Sequence, residues 1–448
     1  MSRLRILLLA PDANPESISV SLVAYRHAEA LARLHDVTLL GRSCNEEALR
    51  RAQAPFQSIE AIGPWLDRVF AWCFTWIFKS NFNSRALTAF FYPFSIAFEW
   101  RAWRRMRRQI IAGQFDIVLR LSPIISVIPS AFPSFMRNNS VPFIIGPING
   151  GLPWPQGFSQ ASNQRSWIDN LRNLYRIMPF AKSTYRRAAA IIAGSSQTYA
   201  EFSGYGDKLF FVPENGISPS LCTNAAPQSK PGAKLQLIFI GGWIPLKAVD
   251  LALRAAAPLL RNDLAHFTVV GDGPERSRLE QLTKSLGIEQ GVSFCGMLPH
   301  SEAMERLKSA DVMLFPSVRD FGGGVVFEAL ASGAVPIVAD FGGPGDIVHP
   351  EVGFKVPLTN ENDVVAKMES ILAELAGNRE LLSRLRRQGI SYARERLTWD
   401  AKAQDTTRVL NWAVRRGPKP NLPPPKELAK SPLENDAKSR TAVEVGCK

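Results

Sequence analysis

Short apolar runs recur along this chain, each followed by a stretch with helical spacing. The first series is RILLLAP, VTLLGR, FDIVLRL, PFIIGP, AIIAGS and LFFVPEN. The second is LQLIFIGG, HFTVVGD, VSFCGM, VMLFPS, VPIVAD and VGFKVP. These runs are almost continuously apolar and rich in β-branched residues, the pattern of strands covered on both faces of a parallel sheet. Amphipathic segments such as VDLALRAAAPLLR and PERSRLEQLTKSLGI lie between them. Strand and helix signals in alternation predict an α/β fold.

The two series are separated by residues 216–236, GISPSLCTNAAPQSKPGAKLQ, which have no periodicity and read as a linker. The pattern therefore predicts two Rossmann-like domains with parallel sheets facing across a cleft, over residues 1–215 and 237–400. Residues 401–416 read as a helix expected to pack back on the first domain, and 417–448, rich in proline and charge, as a disordered tail. Residues 64–108 break the sheet pattern: aromatic and apolar residues crowd together, then come Arg101, Arg104, Arg105, Arg107 and Arg108. Two readings stay open for this insertion. It is a membrane-surface element whose basic end meets anionic headgroups, or a helical insertion packed on its own domain with a solvated basic end.

Composition changes the picture at one point. Apolar and charged contents of 46% and 21% are ordinary, but a net charge of +13 points to an anionic partner: nucleotide, nucleic acid or acidic membrane. No nucleic-acid module accompanies the basic cluster. Cys44, Cys73, Cys222, Cys295 and Cys447 are scattered without metal-ligand spacing, which fits a reduced cytoplasmic compartment. The apolar part of MSRLRILLLAPDANP spans about five residues, short for a signal peptide. No run reaches the roughly 20 apolar residues of a membrane span.

Candidate chemistry gathers at the strand ends of the second series. Gly241 and Gly242, Gly271, Asp272 and Gly273, Gly296, Gly322 to Gly324, and Gly342 and Gly343 each follow an apolar run. Ligands of open parallel sheets bind outside these carboxyl ends, and glycines there leave backbone N–H groups accessible. In RDFGGGVVFEAL, a helix beginning near Gly323 would present unpaired amides at the positive end of its dipole to a diphosphate. Glu328 and Asp320 flank that point, and a carboxylate can accept from two vicinal hydroxyls. With Lys247 as a cation, the constellation suits a nucleotide-diphospho-sugar.

These residues resemble retaining glycosyltransferase family 4, of GT-B fold. The resemblance rests on FIGGWIPLKAVDLAL, VVGDGPERSRLE, VSFCGMLPHSE, DVMLFPS, DFGGGVVFEALASGAVPIVA and GGPGDIV, in family order. FDIVLRLSPI, PFIIGPINGGLPWPQGF and FVPENGI extend it into the first domain. It implies transfer of a hexose from a UDP- or GDP-linked donor with retention of configuration, without metal or cofactor. It implies ribose contact for Glu328, sugar-hydroxyl contact for Asp320 and diphosphate neutralisation for Lys247. Donor contacts fall on Gly241, Gly242, Asp272, Gly273, Phe321, Gly322, Gly323, Gly324 and Val325. Asn149, Gly150 and Gly151, in GPINGG, are expected on the acceptor side. The expected acceptor is a glycan or lipid-linked glycan; the basic insertion suggests a lipid-linked one at the inner face of a bacterial membrane, in lipopolysaccharide or exopolysaccharide assembly. The sequence departs from the family where Gly242 replaces an arginine, where Leu119 and Leu121 occupy positions often held by histidine, and in the glycine-free turn DANPESISVSL. Those departures keep open a non-catalytic binding or scaffold protein on the same fold. A dinucleotide oxidoreductase would need GxGxxG after the first strand, which LLLAPDANP lacks.

Overall fold

The structure is a computed structural model and describes residues 3–17, 20–63, 84–121, 128–137, 140–149, 152, 155, 158, 178–223 and 232–425. In the first domain the elements run β1 (Arg5–Leu9), α1 (Val20–Leu34), β2 (Asp36–Arg42), α2 (Glu46–Arg51), β3 (Ser58–Ile62) and α3 (Ser84–Ile111). They continue as β4 (Ile117–Arg120), α4 (Phe132–Phe135), β5 (Phe143–Ile148), α5 (Ala181–Arg187), β6 (Ala190–Ala193), α6 (Ser196–Glu201) and β7 (Leu209–Phe211). The second domain holds β8 (Leu235–Ile240), α7 (Val249–Arg261), β9 (Ala265–Val270), α8 (Arg276–Leu286), β10 (Val292–Gly296), α9 (His300–Ser309) and β11 (Val312–Phe315). It ends with α10 (Gly324–Ser332), β12 (Val335–Ala339), α11 (Gly342–Ile347), β13 (Phe354–Val356), α12 (Glu361–Gly377) and α13 (Arg379–Arg396), before α14 (Trp399–Ala413).

The strand orders are β3-β2-β1-β4-β5-β6-β7 and β10-β9-β8-β11-β12-β13, with parallel pairing throughout. This is the expected α/β architecture of two Rossmann-like domains. Every apolar run read as a strand is one. The exception in the other direction is β3, which no run announced. It lies at the sheet edge and mixes Ser58 and Glu60 with isoleucines, so it carries no continuous apolar signal.

Alternation along the strands separates two cores in the first domain. Ile6, Leu8, Leu119 and Leu121 join the layer beneath α1 and α14; Leu7, Leu9 and Val118 join the layer beneath α3. Helix α3 docks through Phe98, Ala102, Met106 and Ile110, spaced four apart on one face. Pro93 lies inside this helix rather than ending it. Arg104, Arg105, Arg107 and Arg108 are exposed on the remaining faces, and the Arg104 guanidinium lies 4.9 Å from the Trp100 ring centre. The basic end of the insertion is thus carried by a helix packed on its own domain, while residues 64–83 fall outside the described residues.

Both chain crossings between the domains are tied together. Ile217 N–H donates to Leu397 O at 3.0 Å, and Trp399 N–H donates to Ile217 O at 3.0 Å. Helix α14 then lies on α1: Trp399, Ala403, Val409 and Leu410 complete the core around Tyr25, Ala28 and Leu31. His27 and His35 reach Thr406 and Thr407 at 3.0 and 2.8 Å. Beyond the helix, Leu422 O accepts from Phe211 N–H of edge strand β7 at 2.8 Å. The stretch expected as tail from 417 is therefore in contact with the first domain at Leu422, and 426–448 lie outside the described residues. Among the described residues no helix is long and apolar enough to cross a membrane.

Candidate functional site

Strand order in the second domain reverses between β8 and β11, which puts the ligand crevice at their carboxyl ends. The loops leaving these strands are laced together: Val318 N–H and Ser317 Oγ–H both donate to Leu246 O, at 3.0 and 3.1 Å. This brings the Lys247 ammonium onto Asp320 Oδ2, and within 4.9 Å of the Phe315 ring centre. The Lys247 and Asp320 side chains are 22% and 16% exposed, so the pair is half-sunk yet open to a ligand. Each charge satisfies the other.

Asp320 Oδ1 accepts from Gly323 N–H at 2.9 Å. Gly323 is the residue before α10 and has φ +55°, a left-handed conformation that glycine adopts without a Cβ penalty. A Cβ there would also lie 2.8 Å from Pro344. A glycine in this place leaves no side chain to cap the helix, and Gly324 is exposed. The first two amides of α10, at exposed Gly324 and half-buried Val325, thus carry no side-chain cap and lie next to a lysine at the positive end of the helix dipole. Val325 is the second residue of the helix and Glu328 the fifth, about 4.5 Å further along the axis. The Glu328 side chain is 21% exposed and accepts from His300 Nε2 at 2.9 Å. That carboxylate holds the His300 pKa above its ordinary value. Sequence reasoning passed over His300, although it opens α9 directly after the strand-end stretch Gly296–Pro299.

Not every strand-end glycine faces a ligand. A Cβ on Gly271 would lie 1.9 Å from Gly241 O, and one on Gly273 2.3 Å from Trp243 O. Close loop packing alone demands glycine at both places. Asp272 is exposed and bonds within its own loop: Oδ1 accepts from Gly273 N–H at 2.8 Å and Oδ2 lies 3.5 Å from Arg276. Gly242 has no such constraint, with its nearest neighbour 4.0 Å away. Phe321 O lies beneath the next loop, 2.3 Å from where a Cβ on Gly343 would be.

Across the cleft, Asn149 joins a cluster with two residues that the sequence did not single out, Glu214 and Lys402. Glu214 O accepts from Lys402 Nζ of α14, and the Glu214 carboxylate accepts from Asn149 Nδ2 at 2.8 Å. Burial pushes the Glu214 pKa up and brings Lys402 down to about 7. Asn149, expected on the acceptor side, thus anchors Glu214; Gly150 and Gly151 fall outside the described residues. Leu152 and Phe158 of the same loop reach the other domain. Phe158 belongs to its core, and Leu152 lies 2.8 Å from where a Cβ on Gly342 would be. Asp346 of α11 makes a second cross-domain contact, accepting from Ser196 N–H at 2.8 Å and Ser196 Oγ–H at 2.5 Å. Among the described residues no group of three or more histidine, cysteine, aspartate or glutamate side chains is placed to hold a metal ion.

Residues 223–396 match the family of glycosyl transferases group 1. This glycosyltransferase match covers the second domain, the one that carries Lys247, Asp320 and Glu328. Among curated proteins, the chain is 29% identical over 179 residues to an uncharacterized glycosyltransferase of Methanocaldococcus jannaschii, covering 40% of this chain and 45% of that one. It is 32% identical over 217 residues to the D-inositol 3-phosphate glycosyltransferase of Streptomyces bingchenggensis, covering 46% of each. The chain thus spans under half the length of these two relatives. Among solved structures, HepE of Anabaena in complex with UDP superposes with a TM-score of 0.59 at 15% identity, covering 91% of this chain and 100% of that one. At that identity the likeness concerns the fold, which is the two-domain GT-B arrangement.

Proposed function

We propose that the chain transfers a sugar from a UDP- or GDP-linked donor to a glycan or lipid-linked glycan, with retention of configuration and without a metal. The observation that carries this reading is the meeting of Lys247 and Asp320 at the switch point of the second sheet, beside the open amides of α10. The group 1 match over the same domain supports it, as does UDP in the fold relative HepE.

The donor diphosphate sits on the α10 amides and Lys247, and Glu328 receives the ribose hydroxyls. Binding pulls Lys247 toward the phosphates, and Asp320, released from the ion pair, accepts from hydroxyls of the transferred sugar. As the glycosidic bond breaks, charge develops on the leaving diphosphate. Lys247 and the amides stabilise it electrostatically, which suits a chain with Gly242 where the family carries arginine. The acceptor hydroxyl attacks the face the leaving group vacates and passes its proton to the departing phosphate, so no side-chain base is assigned. The exposed arginines of α3 hold the protein at the anionic inner face of a cytoplasmic membrane, in lipopolysaccharide or exopolysaccharide assembly.

A thermal-shift screen against UDP- and GDP-sugars identifies the donor, because a ligand that binds the native state raises Tm. Lys247→Ala and Glu328→Ala should then each lower transfer by about 10²-fold or more with Tm within a few degrees of wild type. Near wild-type turnover by either variant removes the site assignment.

A further inference from the structure

Helix α11 (Gly342–Ile347) lies between the domains and is engaged at both ends. Its opening turn is the floor of the Asp320–Gly323 loop. Gly343 N–H donates to Asp320 O at 3.1 Å, and a Cβ on Gly342 would lie 2.2 Å from the same oxygen. Pro344 lies 2.8 Å from where a Cβ on Gly323 would be. At the other end Asp346, 7% exposed, accepts two hydrogen bonds from the first domain, from Ser196 N–H at 2.8 Å and Ser196 Oγ–H at 2.5 Å. The charges that act on this carboxyl, Asp340 and Lys355, belong to its own domain. The pair of hydrogen bonds is therefore what carries it across the boundary.

The first-domain side of the contact is stiff. Ser195 Oγ caps α6 by accepting from Thr198 N–H at 3.2 Å, and Gly194 N–H donates to Ile148 O of β5 at 2.7 Å. Ser196 is thus tied to the first sheet. From Gly342 to Asp346 is about 6 Å of helix, so a shift at one end of α11 is passed to the other. Leu152 of the first domain also touches α11, at Gly342, but that apolar contact has no direction. Hydrogen bonds fix angle as well as distance. We infer that Asp346 is a positioning residue: through Ser196 it fixes α11 against the first domain, and through α11 it sets where the Asp320–Gly323 loop lies across the cleft. The part this plays in sugar transfer rests on the donor-site reading; the contact itself needs no ligand.

The test is hydrogen–deuterium exchange, with small-angle X-ray scattering, on the full-length protein without ligand. It is run at pH 5.5, below the value of about 6 to which burial raises this carboxyl. Asp346→Ala should speed exchange about tenfold at Ser196, whose N–H loses its acceptor, and also in a peptide covering 319–328. The radius of gyration should grow as the cleft opens. Ser196→Ala reads the same contact without disturbing the carboxyl; it keeps the N–H bond and should show a smaller effect of the same kind. The double variant should go no further than Asp346→Ala alone, since both remove one contact. Asp346→Asn keeps an oxygen for Ser196 N–H and offers its amide to Ser196 Oγ, so it should restore wild-type exchange at both places. Faster exchange confined to Ser196, with 319–328 and the radius of gyration unchanged, makes the contact a local one and overturns the inference. So does wild-type behaviour of Asp346→Ala, or an Asp346→Asn variant no better than Asp346→Ala. Because no ligand is added, each of these results leaves the donor-site reading standing; that reading falls separately, if no UDP- or GDP-sugar raises Tm.

Discussion

The two domains share a sheet design but each buries an arginine–carboxylate pair at the opposite end of it from the other. In the first domain Arg120, the last residue of β4, pairs with Glu99 of α3 at 2.9 Å, with both side chains under 5% exposed. Glu99 also accepts from Ser130 Oγ–H and from the N–H groups of Ala131 and Phe132. In the second domain Asp311, just before β11, pairs with Arg386 of α13 at 2.5 Å. One pair thus sits at the carboxyl end of its sheet, where ligands of such folds bind, and the other at the amino end. The second domain keeps its carboxyl end for short loops and accessible backbone. The first spends part of that end on its own side chains.

That difference gives a physical reason for the place of the family match, over the second domain. A pocket made of backbone amides constrains glycines and strand ends, a pattern that survives wide divergence. A rim of side chains bonded to one another can be rebuilt differently in each protein. The family match accordingly covers 223–396.

Three measurements would sharpen or break this contrast. The largest effect is expected at the buried pairs. Removing one partner strands a charge in the core, so Glu99→Ala, Arg120→Ala or Arg386→Ala should each cost about 3–5 kcal/mol in denaturant unfolding. Glu99→Gln with Arg120→Met should cost less than either truncation. Only the pair at the carboxyl end should alter the response to acceptor among variants that remain folded. Equal effects of both pairs on acceptor kinetics would erase the contrast.

A smaller effect is expected at the clasp between the domains. Burial pushes the Asp346 carboxyl up to about 6, against the hydrogen bonds from Ser196. In the unfolded chain it titrates near ~3.9. The folded chain therefore holds this proton more tightly, and the associated stability is full below about pH 4 and lost as pH rises through about 6. Asp346→Asn should flatten Tm over that window and melt no lower than wild type at pH 8. A slope in the variant identical to wild type would refute the assignment.

The smallest effect on folding is expected on the outer face of α3. Neutralising Arg104, Arg105, Arg107 and Arg108 together should move stability by less than about 1 kcal/mol, because these side chains are exposed. Sedimentation with anionic vesicles should nevertheless fall sharply. Undiminished sedimentation would leave the basic helix as a solvated face.

Much of the second domain was legible because its signals are local. A strand covered on both faces reads as an apolar run, and β8 to β13 all do. A residue held at φ +55°, or one whose Cβ would strike a neighbouring backbone, reads as glycine, as at Gly323 and Gly271. Lys247, Asp320 and Glu328 stood out for the same reason, being charged residues set beside those glycines. The sequence by itself thus determined the number of layers, the parallel sheets and the end of each sheet where a ligand could lie.

Tertiary structure decided which charges meet. Asp320 and Lys247 are 73 residues apart, Asp346 and Ser196 150, and Lys402 and Glu214 188. Nothing local distinguishes Asp346 from a surface aspartate. The edge strand β3 was hidden for a related reason, since only its place beside β2 makes a strand of so polar a segment. Pairing depends on the path of the whole chain, and burial, which turns an ordinary carboxylate into a clasp, exists only after the two domains have come together.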